Sequence, residues 1–137
     1  MKRLLSIIAV VLAAVSCREP MSVEEFIPGD GPYRFSVDMT DSSAVYDFDF
    51  YTRVDARPSQ CPPEVLLMVR WHSPVDSVMR ESVYLPIHYG QVFQPYRADM
   101  VPSVYGVWKL EVSCPYAALA PGFRGLGLIT KKRHGTR

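Results

Sequence analysis

Cys17 is the residue whose chemistry its neighbours constrain most tightly. It follows Ala13-Ala14-Val15-Ser16, a run of small side chains that begins where the apolar stretch from Leu4 ends. Met1-Lys2-Arg3 supplies a basic start to that stretch. A positive region, about a dozen apolar residues and small residues before a cut site describe a secretory signal. The stretch is too short for a permanent membrane helix, which needs about 20 apolar residues to cross the hydrocarbon. A cysteine at the cut site matches a bacterial lipobox, in which the chain is cleaved before the cysteine and the thiol takes up diacylglycerol. The expected covalent chemistry is therefore lipid attachment at Cys17.

No other group of residues reads as a catalyst or a cofactor site, and the expectation is a non-enzymatic protein without cofactors. His72, His88 and His134 fall in no H-E-x-x-H or H-x-H spacing, and no paired cysteines accompany them, so no metal is expected at them. Cys61 beside His72 or His88 would be a nucleophile and base only with a geometry that spacing does not supply. Ser73, Ser77 and Ser82 lack a G-x-S-x-G elbow. Asp38, Asp41, Asp47 and Asp49 are the densest carboxylates and could offer oxygens to calcium. Asp47 and Asp49 alternate with aromatics, however, which reads as the solvated side of a strand. Gly122, Gly125 and Gly127 do not fit a phosphate loop, and no helix follows them. A tight turn and a closely packed strand account for them better.

The elements that would position these residues are strands. Without the signal, Lys2 and Arg3 are lost and 13 basic side chains face 14 acidic ones. That balance argues against nucleic acid as a partner. Twelve prolines, eight tyrosines and six phenylalanines favour strands and turns over helices. Tyr33, Phe35 and Val37 alternate with polar residues, as do Tyr46, Phe48 and Phe50, with turn chemistry at Asp41-Ser42-Ser43 between them. Glu64 to Trp71 is the most apolar run after the signal and reads as a central strand, with Ser82 to Leu85 as its antiparallel partner. Val107 to Cys114 alternates again, and Gly125 to Thr130 is a last short strand.

Six to eight short strands with Pro/Gly turns predict an all-β antiparallel β-sandwich, with a small barrel as the next choice. The expected organisation is a signal peptide over 1–16, a lipidated flexible tether over 17–32, a β-sandwich domain over 33–132 and a frayed basic tail over 133–137. Pro86 to Pro102 is poorly patterned and reads as a long loop with a short edge strand. Its Tyr89, Phe93, Tyr96 and Arg97 are the expected partner-binding residues. Trp71 and Trp108 sit inside apolar strands and read as core. If Cys17 is acylated, Cys61 and Cys114 remain as a pair. A disulfide closing that loop could contribute about 3–4 kcal/mol, and two free thiols are equally compatible with the spacing.

The lipobox cysteine, the tether and YRFSVDMTDSSAVYDFDFYTRV together resemble the gliding-motility lipoprotein H (GldH) family of Bacteroidetes. LLMVRW, SVYLP, QPYRADMVPSVYGVWKLEV and PGFRGLGLITKK follow in the family's order, so the resemblance covers about Tyr33 to Lys132. It implies an envelope lipoprotein without enzymatic activity, associated with the gliding machinery. Arg18-Glu19 after Cys17 is not the aspartate that retains lipoproteins in the inner membrane of enteric bacteria, so the outer membrane is the expected location. The expected partners are membrane lipid through Cys17 and other envelope proteins. A glycan stacked on exposed aromatics is the alternative.

Overall fold

The structure, a computed structural model, describes residues 21–55, 63–87, 90–115 and 122–134. Eight strands follow in chain order: β1 (Met21–Pro28), β2 (Tyr33–Met39), β3 (Ala44–Val54), β4 (Glu64–His72), β5 (Val78–Pro86), β6 (Gly90–Met100), β7 (Gly106–Ser113) and β8 (Phe123–His134). They form two antiparallel four-stranded sheets, β1-β8-β3-β6 and β2-β7-β4-β5, which are called sheets A and B below. This is the all-β sandwich that the alternation predicts.

Strict alternation explains the strands that feed the core. In β2, Tyr33, Phe35, Val37 and Met39 are buried and the residues between them are exposed. A period of two sends neighbours to opposite faces of a sheet, so each such strand delivers one apolar row to the core. Tyr46, Phe48 and Phe50 do the same from β3, Leu67, Val69 and Trp71 from β4, and Leu110 and Val112 from β7. Phe48 and Trp108 both meet Trp71 edge-on, with ring centroids 5.4 and 6.2 Å away. Trp71 and Trp108 are thus core residues, as their strands imply.

Three boundaries differ from the sequence reading, all at strands or ends with few partners. The expected tether contains β1, whose residues Met21 to Pro28 pair with Lys132 to Gly125 of β8. Most of β1 is exposed on both of its faces, so it carries no hydrophobic period to read. The expected loop over Pro86 to Pro102 is mostly β6, an 11-residue edge strand on β3. Pro95 interrupts its pattern without breaking it, because an edge strand leaves one side of its backbone without a neighbour and tolerates a missing N–H. The expected basic tail begins two residues too early: Arg133 and His134 belong to β8 and pair with Val45 and Ala44. Asp47 holds Arg133 in place at 2.9 Å.

The registers also define the two ends of the sandwich. Met21, Lys132, Tyr46 and Met100 form one row across sheet A. In sheet B, Met39 faces Gly106, and the row containing His72 leads to Val78. Lys132 bonds Asp41 of the β2–β3 turn at 3.2 Å, which brings these two margins to the same end.

Candidate interaction surfaces

Of the expected site residues, Cys17, Cys61 and Tyr89 lie outside the described residues. Cys114 directly follows β7 and is buried. Phe93 is 48% exposed on the outer face of sheet A. Tyr96 and Arg97 both bond within the fold. The Tyr96 hydroxyl accepts from Trp71 Nε1 at 2.9 Å and donates to the Glu81 carboxylate. Arg97 Nη2 bonds the same carboxylate at 2.6 Å. β5 and β6 are edge strands of different sheets, so this cluster clasps the open side of the sandwich. Burial, followed by the bond to Glu81, pushes the Tyr96 hydroxyl up to about 12. It is a fixed donor at neutral pH, which suits a clasp and not a proton shuttle.

The aspartates are also engaged. Asp47 accepts from Arg133 and from the Asp99 backbone N–H at 2.8 Å, and Asp49 pairs with Lys131 at 2.8 Å. Hydrogen bonds from Ser43, and then Lys132, hold the Asp41 carboxyl at about 2. Among the described residues, no group of three or more His, Cys, Asp or Glu side chains could hold a metal ion.

The outer face of sheet A is therefore largely satisfied by its own residues. Phe26, Gly127, Tyr51 and Phe93 form one row across all four strands. Tyr51 stacks on Phe26 at 5.8 Å and meets Phe93 edge-on at 5.2 Å. Its ring lies over Gly127, where an added Cβ would come within 2.1 Å of it. Its hydroxyl donates to Glu24 Oε1 at 2.6 Å, and Arg53 covers the Phe26 ring at 4.7 Å. Tyr51 and Ile129 are the two buried apolar residues of the described chain that lie outside the central core cluster. Register puts both of them on this outer face.

The outer face of sheet B has a different composition. Register places Arg34, Glu111, Arg70 and Arg80 in one row across its four strands. The next row runs Ser36, Lys109, His72, Val78. Four cationic side chains thus meet one carboxylate in the middle of the sheet. Glu111 bonds Arg34 at 3.3 Å and reaches Arg70 at only 3.9 Å. Neither Arg80 nor Lys109 has an ion-pair partner among the described residues. Arg70 stands directly opposite Arg80 on the ladder, an arrangement that is unfavourable for like charges. A hollow of about 820 Å³ lies between Arg34, His72, Lys109 and the β4–β5 turn. In the sequence these cations are scattered over four separate segments. Their convergence depends on register, which no single strand encodes.

No protein-family model, curated protein or solved structure matches this chain.

Proposed function

We propose that this chain is a non-enzymatic lipoprotein of the cell envelope, of the gliding-motility lipoprotein type. Acylated Cys17 holds it on the outer membrane, and the outer face of sheet B docks an acidic surface of another envelope protein. The observation that carries the docking reading is the Arg34–Glu111–Arg70–Arg80 row, where excess positive charge stands on an otherwise well-neutralised domain. An uncompensated charged patch raises encounter rates and selects partners of opposite sign. This moves the expected partner surface from the Tyr89 to Arg97 segment, where Tyr96 and Arg97 are occupied by Glu81.

The glycan alternative gains no specific support. The exposed rings Tyr84, Phe93 and Tyr105 lie on the outer face of sheet B, the outer face of sheet A and the β6–β7 connection, so they do not build one stacking platform.

A photoreactive amino acid at Ser36 or Ser82 on sheet B, or at Phe93 on sheet A, tests the reading in native membranes. Crosslinking to one acidic envelope protein is expected from Ser36 and Ser82 and not from Phe93. It should be lost in Arg70→Glu/Arg80→Glu. Equal crosslinking from both faces, or crosslinking indifferent to the charge reversal, removes the docking reading. Anchoring is checked separately: Cys17→Ala should move the protein to the soluble fraction without the mass of an acyl group.

A further inference from the structure

The exposed apolar side chains are not spread evenly over the sandwich. Among the described residues, eleven large apolar side chains are exposed. Six lie at the end where Met21 begins β1: Met21, Val23, Val75, Val78, Val101 and Tyr105. Met79 and Val107 lie immediately behind them, next to Val78 and Gly106. The other three, Met68, Tyr84 and Phe93, lie elsewhere on the two outer faces.

Val75 is 64% exposed at the tip of the β4–β5 turn, and Val101 is 53% exposed at the start of the β6–β7 connection. The two are held in place by their surroundings. Ser73 Oγ accepts from the backbone N–H groups of Val75 and Ser77 at 3.3 and 3.0 Å, which fixes the turn. Pro74 packs against Gly106 so closely that an added Cβ there would lie 2.6 Å from its ring. Trp108 Nε1 bonds the Val104 carbonyl at 2.9 Å and pins the second loop. A groove of about 550 Å³ separates the two loops' strands, with Val78, Met79, Met100 and Val101 on its walls.

Chain length says what covers this end. Only Arg18, Glu19 and Pro20 separate Cys17 from Met21. Fully extended, that link spans at most about 14 Å, at roughly 3.3–3.6 Å per residue. A diacylglycerol on Cys17 would therefore hold the Met21 end against the lipid, whatever path the link takes. We infer that this end of the sandwich rests in the membrane interface, with Val75 and Val101 as the inserted apolar tips and Tyr105 at headgroup level. The inference rests on acylation of Cys17.

The charges at this end fit that depth. Asp41 is tied to Lys132 and Asp99 to Arg133, while Asp38 is bonded by Thr40. Asp76 has no ion-pair partner among the described residues, so the tips reach the headgroup–acyl boundary and not the hydrocarbon centre. Interfacial side chains of this kind bury roughly 5–10 Å deep. Tyrosine suits the same zone because its ring is apolar and its hydroxyl is wet. Contacts of this kind would supplement the lipid anchor and fix the domain's orientation.

The test uses the full acylated chain in vesicles of equal parts phosphatidylethanolamine and phosphatidylglycerol. An environment-sensitive fluorescent amino acid replaces Val75, Val101 or, as an outward reference, Tyr84. Doxyl-labelled lipid should quench the probe at Val75 and Val101, and aqueous iodide should quench it severalfold less than at Tyr84. Hydrogen exchange of residues 73–77 and 101–105, which needs no substitution, should slow severalfold in vesicles relative to detergent. If the protein floats with the vesicles while all three probes stay equally open to iodide, the inference falls and the lipoprotein reading stands. Protection that grows with protein density and is insensitive to doxyl lipid assigns the end to a second copy, and also overturns it. A chain that does not float and carries unmodified Cys17 overturns both.

Discussion

The two outer faces of this sandwich solve the same problem differently. Both sheets have four antiparallel strands, and each strand turns one row of side chains to the outside. On sheet A, Lys131 and Arg133 each find an aspartate, and Tyr51 is covered by Phe26 and Phe93. On sheet B, Arg34 and Arg70 share Glu111, and Arg80 and Lys109 have no ion-pair partner among the described residues. A face that satisfies itself contributes stability. One that leaves charge unmatched contributes little stability and keeps its electrostatic potential for a partner. Substitutions on the two faces should therefore have opposite characters, structural on A and associative on B.

The largest expected effect breaks the closed face. In Gly127→Ala the new methyl collides with the Tyr51 ring. The ring cannot move without opening contacts with Phe26 and Phe93, so a loss of about 3 kcal/mol is expected in urea unfolding, at the upper end for overpacking. An unchanged midpoint would show that Tyr51 is not held on this face as described.

Tyr51→Phe is milder and separates the hydroxyl from the ring. Loss of the bond to Glu24 should destabilise by about 1.5 kcal/mol, in the range for a hydrogen bond to a charged group. Burial, with the bond to Glu24 next, raises the Tyr51 hydroxyl from 10.0 to about 12. Folding thus favours the protonated phenol. That contribution is fully present below pH 10 and is lost as pH rises towards 12. Tyr96 behaves in the same sense. Alkaline unfolding followed by circular dichroism should lose part of this steep limb in Tyr51→Phe and keep the part belonging to Tyr96.

Asp49→Asn should remove about 0.5 kcal/mol at low salt and less at high salt, because Lys131 is half exposed and screening weakens the pair. On the other face Arg80→Glu places a carboxylate opposite Arg70. It should raise stability by a few tenths of a kcal/mol while abolishing capture of the proposed acidic partner. A loss of stability there would put sheet B in the same class as sheet A and end the comparison.

The parts of this fold that could be read from sequence are the strands with a strict period of two. β2, β3, β4 and β7 each bury one row in the core, and their alternation carries that information. β1 and β6 could not be read, because an edge strand with both faces partly open has no period, and Pro95 disguises β6 further. Tyr51 breaks the rule in another way. It occupies an outward position, yet it is buried by residues from strands distant in sequence. The basic row of sheet B is of the same kind: Arg34, Arg70, Arg80 and Glu111 meet only once register is set. Conversely, Tyr96 and Arg97 looked available because the carboxylate that binds them, Glu81, lies on a different sheet.

The position of β1 has a mechanical consequence. If acylated Cys17 holds Met21 at the lipid and a partner docks on sheet B, a pull between them would enter the domain through one edge strand. Directed along β1, it is resisted in shear by the whole ladder from Met21↔Lys132 to Pro28↔Gly125, whose bonds must yield together. Directed across β1, it meets those bonds one at a time and peels the strand away. The same eight residues would then behave as a stiff tie under longitudinal tension and as a zipper under lateral tension. The domain's resistance to force would depend on the direction in which its partner moves.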